Sequence, residues 1–353
     1  MKTHRYLSIA AALLISLGSV AAQTNPSKVW SKEKANAWYQ KKGWQSGCNY
    51  IPATAINSVE MWQKESFDPT TIDKELGWAE ELGFSTMRVF LNSLVWKNDP
   101  EGFKKRMDQY LAISAKHKIT AMFVFFDDCW MEESHLGKQP DPKPGVHNSG
   151  WVQDPSRSLR KDTAKLYADL EKYVKDVMGA FKNDDRILCW DLFNEPGTET
   201  LGLLKRVYNW AWEIRPSQPL TSGINNLDDL DINRFRLDNS DIITFHCYDS
   251  VKDETYWIKF LKMYNRPIIC SEYMARKFDC RFQNIMPLFR QYNVGAINWG
   301  FVSGKTNTIF AWGDPHPDGK EPELWFHDIL RQDKTPFDQK EIEAIMKTNG
   351  KIK

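Results

Sequence analysis

Residues 187–196 read Ile187-Leu188-Cys189-Trp190-Asp191-Leu192-Phe193-Asn194-Glu195-Pro196. A short run, apolar almost throughout, delivers a carboxylate and then a proline. Continuous apolar character over so few residues suits a parallel strand buried on both faces. Seven more runs along the chain resemble it, at 46–52, 85–92, 119–126, 219–224, 241–248, 267–273 and 294–301.

The segments between the runs carry helical spacing. Asp68-Pro69 is a cap followed by a proline, and Ile72, Leu76, Ala79 and Leu82 share one face before Gly83 stops the turn. Leu166, Leu170, Tyr173, Val174, Val177 and Phe181 form a second stripe. Leu203, Leu204, Val207, Trp210, Ala211 and Ile214 form a third, ending near Pro216. Strands alternating with helices imply right-handed βαβ units. Eight such units close most naturally into a single (β/α)8 TIM barrel of the α/β class. An open doubly wound sheet would bring a glycine-rich phosphate loop after an early strand, and the chain has neither GxGxxG nor GxxxxGKS/T. Between the third and fourth runs lies an excess, residues 130–160, rich in Pro, Gly, Asp and His. A long loop after a barrel strand is expected to shape the binding cleft.

Bulk properties narrow the partners. A formal net charge of +1 offers no field for nucleic acid or acidic lipid. The chain holds 15 Trp, 12 Tyr and 19 Phe, which suits stacking on sugar rings as well as a core. Lys2 and Arg5, the apolar run 7–20 and the small residues Val20-Ala21-Ala22 have the layout of a secretory signal peptide over residues 1–22. The run is too short for a membrane span of about 20 residues. Residues 23–353 are then the catalytic barrel domain of a secreted or periplasmic protein. Of six cysteines, Cys48, Cys189, Cys247 and Cys270 fall inside apolar runs as small buried hydrophobes, whereas Cys129 and Cys280 fall in loops and are the candidates for a bridge in an oxidising compartment.

In such a barrel the carboxyl ends of strands are where chemistry is expected. The fourth run ends in Glu195 and the seventh, Pro267-Ile268-Ile269-Cys270-Ser271-Glu272-Tyr273, in Glu272. The second carries Arg88, the third ends in Asp127-Asp128, the sixth in His246-Cys247-Tyr248, and the eighth holds Trp299. Two carboxylates across a barrel mouth suit glycosidic bond cleavage, one donating a proton and the other staying ionised. Arg88 and a Tyr hydroxyl are expected to keep Glu272 charged, while burial and that negative neighbour raise Glu195.

The joint pattern resembles the barrel glycosidases of clan A, and glycoside hydrolase family 5 in particular. The residues that carry it are Asn194-Glu195-Pro196, Glu272, Arg88, His246-x-Tyr248 and Trp299. The resemblance implies a retaining O-glycosyl hydrolase acting by double displacement on a β-linked oligosaccharide or polysaccharide, without a metal or other cofactor. It implies Glu195 as acid/base and Glu272 as nucleophile, Asn194 on the sugar 2-hydroxyl, and Tyr248 bonded to Glu272. Substrate contacts are further expected from His246, Trp299, Asp128, Trp151 and Trp312. The chain departs from the family at the third run, where Asp127-Asp128 replace a frequent histidine. Two other readings use the same residues. One is a metal-dependent sugar isomerase, with Asp128, Glu195, His246 and Glu272 ringing a divalent cation. The other is a carbohydrate-binding barrel without turnover.

Overall fold

The computed structural model describes residues 28–353, so the signal-peptide reading of residues 1–22 lies outside the described residues. Eight parallel strands form one sheet: β1 (Ser46–Asn49), β2 (Thr86–Phe90), β3 (Thr120–Val124), β4 (Ile187–Asp191), β5 (Leu220–Thr221), β6 (Ile243–His246), β7 (Ile268–Glu272) and β8 (Gly295–Trp299). Neighbours run in chain order, and β1 pairs with β8. The fifth run is the weakest strand, but it still closes the ring. Asp241 donates to the Leu220 carbonyl (2.8 Å), Ile224 to Thr244 (3.0 Å), and His246 back to Ile224 (2.8 Å). The expected (β/α)8 barrel is therefore the observed fold.

Helices wrap the barrel because their stripes have nowhere else to go. In the helix Pro69–Leu82 the Asp68 side chain accepts from Thr71 N, and Gly83 ends the helix at φ +82°, a conformation that disfavours a Cβ. The helix Thr163–Phe181 buries Leu166, Leu170, Tyr173, Val174, Val177, Met178 and Phe181. At roughly 1.5–3 kcal/mol per fully buried side chain, that face holds the helix on the sheet. A Leu170→Ala change would open a cavity costing about 2–5 kcal/mol. The helix Lys32–Lys42 packs Tyr39 against an interior apolar layer of Met122, Leu188, Cys189, Ile242, Ile269 and Ile297. In β1 only glycine fits at position 47, where a Cβ would lie 1.7 Å from the Thr86 carbonyl oxygen.

Register decides which side chains meet at the mouth. Asn49 is level with Arg88 on β2 and with Trp299 on β8. A register shift between Phe245 and His246 sets His246 level with Glu272 rather than Ser271. Two long connections rise above the strand ends, residues 130–160 after β3 and residues 300–338 between β8 and the helix Gln339–Thr348. No described helix is long and apolar enough to cross a membrane. All six cysteines are free, and Cys129 and Cys280 have separate partners: the Cys129 thiol faces Glu195, while Cys280 Sγ accepts from Met274 N.

Candidate active site

Arg88 organises the mouth. It is fully buried on β2 and its guanidinium is shared among four neighbours. Nε and Nη2 donate to Asp191 Oδ2 at 3.0 and 2.7 Å, and Nη2 also reaches Asn194 Oδ1 at 2.7 Å. Nη1 donates to Asn49 Oδ1 at 2.8 Å and to Glu272 Oε1 at 2.7 Å. A planar fork is the only side chain that meets so many acceptors at once. The other Glu272 oxygen, Oε2, accepts from the Tyr248 hydroxyl at 2.7 Å.

Glu195 stands opposite, past the end of β4, with φ +44°, a left-handed backbone uncommon for a residue with a Cβ. Its Oε1 lies 2.7 Å from His246 Nδ1, and its Oε2 accepts from the Cys129 thiol at 3.4 Å. His246 Nδ1 is also 3.6 Å from Glu272 Oε2. One oxygen of Glu195 and one of Glu272 come within 4.8 Å of each other. Beside them Asn194 is held at both ends of its amide, since Nδ2 donates to Asp127 Oδ1 at 2.9 Å while Oδ1 takes the Arg88 bond. Asp127 also accepts from Trp151 Nε1 (2.7 Å) and from Cys129 N (3.0 Å). Burial pushes its carboxyl up to about 7 against those donors.

The electrostatics reverse both expectations, for Glu195 and for Glu272. Burial pushes Glu195 up, but the hydrogen bond and charge of His246, helped by Cys129 and Arg88, outweigh it and hold Glu195 below the ordinary carboxylate range. Glu195 also keeps 26% of its side-chain surface, so water shares the work of solvating it. Glu272 has only 6% exposed, and there burial dominates. It raises Glu272, with the negative Glu195 adding to the rise and His246, Arg88 and Tyr248 only partly offsetting it. In the unliganded protein the contact with His246 therefore favours the ionised form of Glu195, whereas burial favours the protonated form of Glu272.

Glu195, His246 and Glu272 are also the one group among the described residues with ligand atoms spaced as a metal ion would need. Both Glu272 oxygens are already taken, and a cation there would sit beside the Arg88 guanidinium, so like charge opposes the isomerase-type site.

The cleft over these groups has a volume of about 340 Å³ and is lined by Cys129, Trp130, Asn148, Asn225, Trp299 and Trp312, among others. A cavity of about 390 Å³ lies elsewhere, on the barrel flank by the helices Ser93–Asn98 and Thr163–Phe181. Its three carboxylates are each engaged by the scaffold: Asp154 by Ser93 N and Oγ, Asp162 by Lys165 N, and Asp169 by Lys97 Nζ.

Most residues singled out from the sequence converge here: Arg88, Asn194, Glu195, His246, Tyr248, Glu272, Trp299 and Trp312. Two do not reach the cleft. Asp128 is turned toward the loop after β4, with Arg160 Nη2 at 2.6 Å, Thr200 Oγ1 at 2.6 Å and Gly197 N at 3.2 Å on its carboxylate. Trp151 is buried between Phe90 and Trp299, at ring distances of 5.1 and 5.5 Å, and braces the wall from behind. In both cases the loop 130–160 folds back on the barrel, so its polar and aromatic groups are consumed by the scaffold. Three contributors escaped sequence reading: the Cys129 thiol, the Asn225 amide and the Asp191 anchor of Arg88. Asp191 alone left a signal, as an acid inside an otherwise apolar strand.

No family model and no curated protein matches the sequence. Solved structures do match. The endo-β-1,4-mannanase from Thermotoga petrophila aligns over 87% of this chain and 76% of its own, at 15% identity and a TM-score of 0.56. GH5_18 from Streptomyces cattleya, in complex with GlcNAc, aligns over 87% and 79%, at 11% identity and 0.59. A glycoside hydrolase family 5 mannosidase from Rhizomucor miehei aligns over 86% and 92%, at 15% identity and 0.55. The fold of this chain is thus the barrel that these three proteins share.

Proposed function

We propose that the protein is a retaining β-glycosidase that hydrolyses β-linked oligosaccharides or polysaccharides by double displacement. The observation that carries this reading is the carboxyl pair, with oxygens within 4.8 Å and each member held by its own donors. Retaining enzymes keep their carboxyls ~5–5.5 Å apart, while inversion needs ~6.5–9.5 Å to admit a water. Glu272 is fixed by two donors that cannot leave, which suits a nucleophile. Glu195 faces a histidine and a thiol and keeps some solvent contact, which suits a group that gains and loses a proton.

In the first step a Glu272 oxygen bonds to the anomeric carbon as the glycosidic C–O bond breaks. Glu195 gives its proton to the departing oxygen, and the aglycone leaves as an alcohol. The 2.7 Å contact with His246 favours the ionised form of Glu195 in the resting site, so Glu195 must take up a proton before it can act. In the second step Glu195, now a carboxylate, takes a proton from water as that water attacks the anomeric carbon and the ester bond to Glu272 breaks. Asn194 Nδ2, bonded to Asp127 Oδ1 at 2.9 Å and only weakly to Cys129 Sγ at 3.5 Å, can turn its second hydrogen to the sugar 2-hydroxyl, and Trp299 offers its indole to the ring.

Three fold neighbours bear mannan-related names, endo-β-1,4-mannanase, mannosidase and exo-β-1,4-mannosidase, which supports β-mannosidic linkages as the first substrates to try. We also propose export, on the basic start and apolar run of residues 1–22. A binding barrel without turnover is disfavoured by the presence of both Glu195 and Glu272 with their partners. The test is turnover of aryl β-glycosides, with β-mannoside, β-glucoside and β-xyloside arms. Glu195→Gln and Glu272→Gln are each expected to lose most of the activity on the substrate that the wild type cleaves. Retention of most activity by either variant would defeat the assignment.

A further inference from the structure

The two long loops above the barrel are joined to each other. Asn148 N donates to the Thr306 carbonyl at 2.8 Å, Asn307 Nδ2 to Lys143 O at 2.9 Å, and His316 N to Gly145 O at 3.0 Å. His147 is the central link. Its Nδ1 bonds the Phe310 carbonyl at 2.8 Å, and its Nε2 accepts from Trp312 Nε1 at 3.2 Å. An imidazole that donates at one nitrogen and accepts at the other is neutral, and burial pushes its pKa down to about 4, so the link survives across ordinary pH. The loops start from β3 and β8, so their junction crosses the mouth above β1 and β2.

Beneath the junction the mouth is filled. Phe90, Trp151 and Trp299 pack edge to face at 5.1, 5.5 and 5.9 Å, and the space left behind Trp299 is about 20 Å³. That volume holds little more than one water, far less than a sugar ring. Glu195 and Asn225 line the cleft away from that filled side, while Trp130 packs on His147 of the junction at 5.2 Å and keeps 44% of its surface exposed.

The chemistry orients a substrate in this space. Glu195 protonates the departing oxygen, so the aglycone lies on the Glu195 side. A ring stacked on Trp299 with its anomeric carbon at Glu272 has its far hydroxyls against the wall of joined loops. In that wall the Asn148 amide lines the cleft, is buried, and has no partner for Nδ2 or Oδ1 among the described residues. An unpaired donor and acceptor buried there are costly unless a ligand meets them.

We infer that the cleft accepts a single sugar on the glycone side, so that the protein is exo-acting and releases one monosaccharide at a time from the non-reducing end of a β-linked chain. The inference rests on the retaining-glycosidase reading above.

The test uses the wild-type chain and 2-aminobenzamide-labelled β-1,4-linked manno-, gluco- and xylo-oligosaccharides of three to five units. The label sits at the reducing end, and products are followed through the first few per cent of turnover. The expected first products are a free monosaccharide and a labelled chain one unit shorter, and the matching aryl monoglycoside is expected to be cleaved. Initial labelled products shorter by two or more units would overturn the inference. So would cleavage of an aryl disaccharide glycoside, with release of the intact disaccharide, where the aryl monoglycoside is inert. Both of those outcomes leave the glycosidase reading standing, whereas no turnover on any substrate would defeat that reading and this inference together. A wall-opening variant gives a second readout. The double variant His147→Ala/Trp312→Ala removes the link at its centre, and folding is checked by circular dichroism. In the folded variant free disaccharide is expected among the first products, and an unchanged monosaccharide pattern would count against the wall as the limit.

Discussion

Replacing Arg88 with methionine removes the group on which the site converges while keeping an unbranched side chain of similar reach. The guanidinium is fully buried and neutralises two carboxylates, Asp191 at 2.7 Å and Glu272 at 2.7 Å, while also binding Asn49 and Asn194. Deleting one partner of a buried ion pair leaves the other charged and dry, at a cost of about 3–5 kcal/mol. A chain of this size is expected to melt about 5–10 °C lower. The double variant Arg88→Met/Asp191→Leu separates structure from chemistry. Removing Asp191 as well takes away one of the two stranded carboxylates, so the double variant should recover part of the lost stability, with Glu272 still unpaired. Asp191 Oδ1 has no partner among the described residues, so little else is given up. Activity should not recover, because Glu272 still lacks its cation.

The pH profile gives the functional half. Loss of a positive neighbour raises the Glu272 carboxyl further, and the nucleophile must be ionised. The acidic limb of kcat/KM is therefore expected at higher pH in both Arg88 variants. The assays are thermal melting followed by near-ultraviolet circular dichroism, and kcat/KM from pH 4 to 9 on an aryl β-glycoside. The reasoning would be refuted by a single variant within about 1 kcal/mol of wild type, by a double variant no more stable than the single, or by an unmoved acidic limb.

Two further outcomes follow from the same electrostatics. His246 holds Glu195 low, so in His246→Gln the Glu195 carboxyl rises and stays protonated to higher pH. The basic limb of kcat/KM should move up, and a downward or absent movement would contradict the role of His246 in holding Glu195 low. Glu75 is a buried acid away from the cleft, bonded to Tyr50 Oη at 2.9 Å and Ala53 N at 3.2 Å, and burial pushes it up to about 7. Its ordinary value in an unfolded chain is about 4.3, so the folded protein binds this proton more tightly. That contribution to stability is whole below pH ~4 and is lost as pH rises toward 7, on the order of 3 kcal/mol. Melting temperature against pH over that interval should be flatter for Glu75→Gln than for the wild type, and an equal slope would refute the assignment.

Much of this architecture was legible in the chain because barrel strands announce themselves twice, by apolar continuity and by what ends them. Glu195 and Glu272 were found because each terminates an apolar run. Arg88 was found because a cation inside such a run demands buried partners. The fifth run shortened to Leu220–Thr221, since pairing there depends on the neighbouring strands and not on the run itself. The loops were the harder part, because their contacts follow no period. The bond from Trp312 to His147 spans 165 positions, and that from the Cys129 thiol to Glu195 spans 66. Asp128 and Trp151 have the right chemistry for a sugar cleft, but the return path of residues 130–160 commits one to Arg160 and Thr200 and the other to Asp127. Cys129 read as a bridging candidate in a loop, whereas folding sets its thiol against the carboxyl proposed as acid/base.

The most direct test of the double-displacement account is the anomeric configuration of the first sugar released. Hydrolysis of an aryl β-glycoside in deuterated buffer, followed by proton NMR before mutarotation, reports it. With Glu272 attacking from one face and water from the other, the β-anomer is expected to appear first. An α-anomer as the first product would mean a single displacement and would contradict the roles given to Glu195 and Glu272.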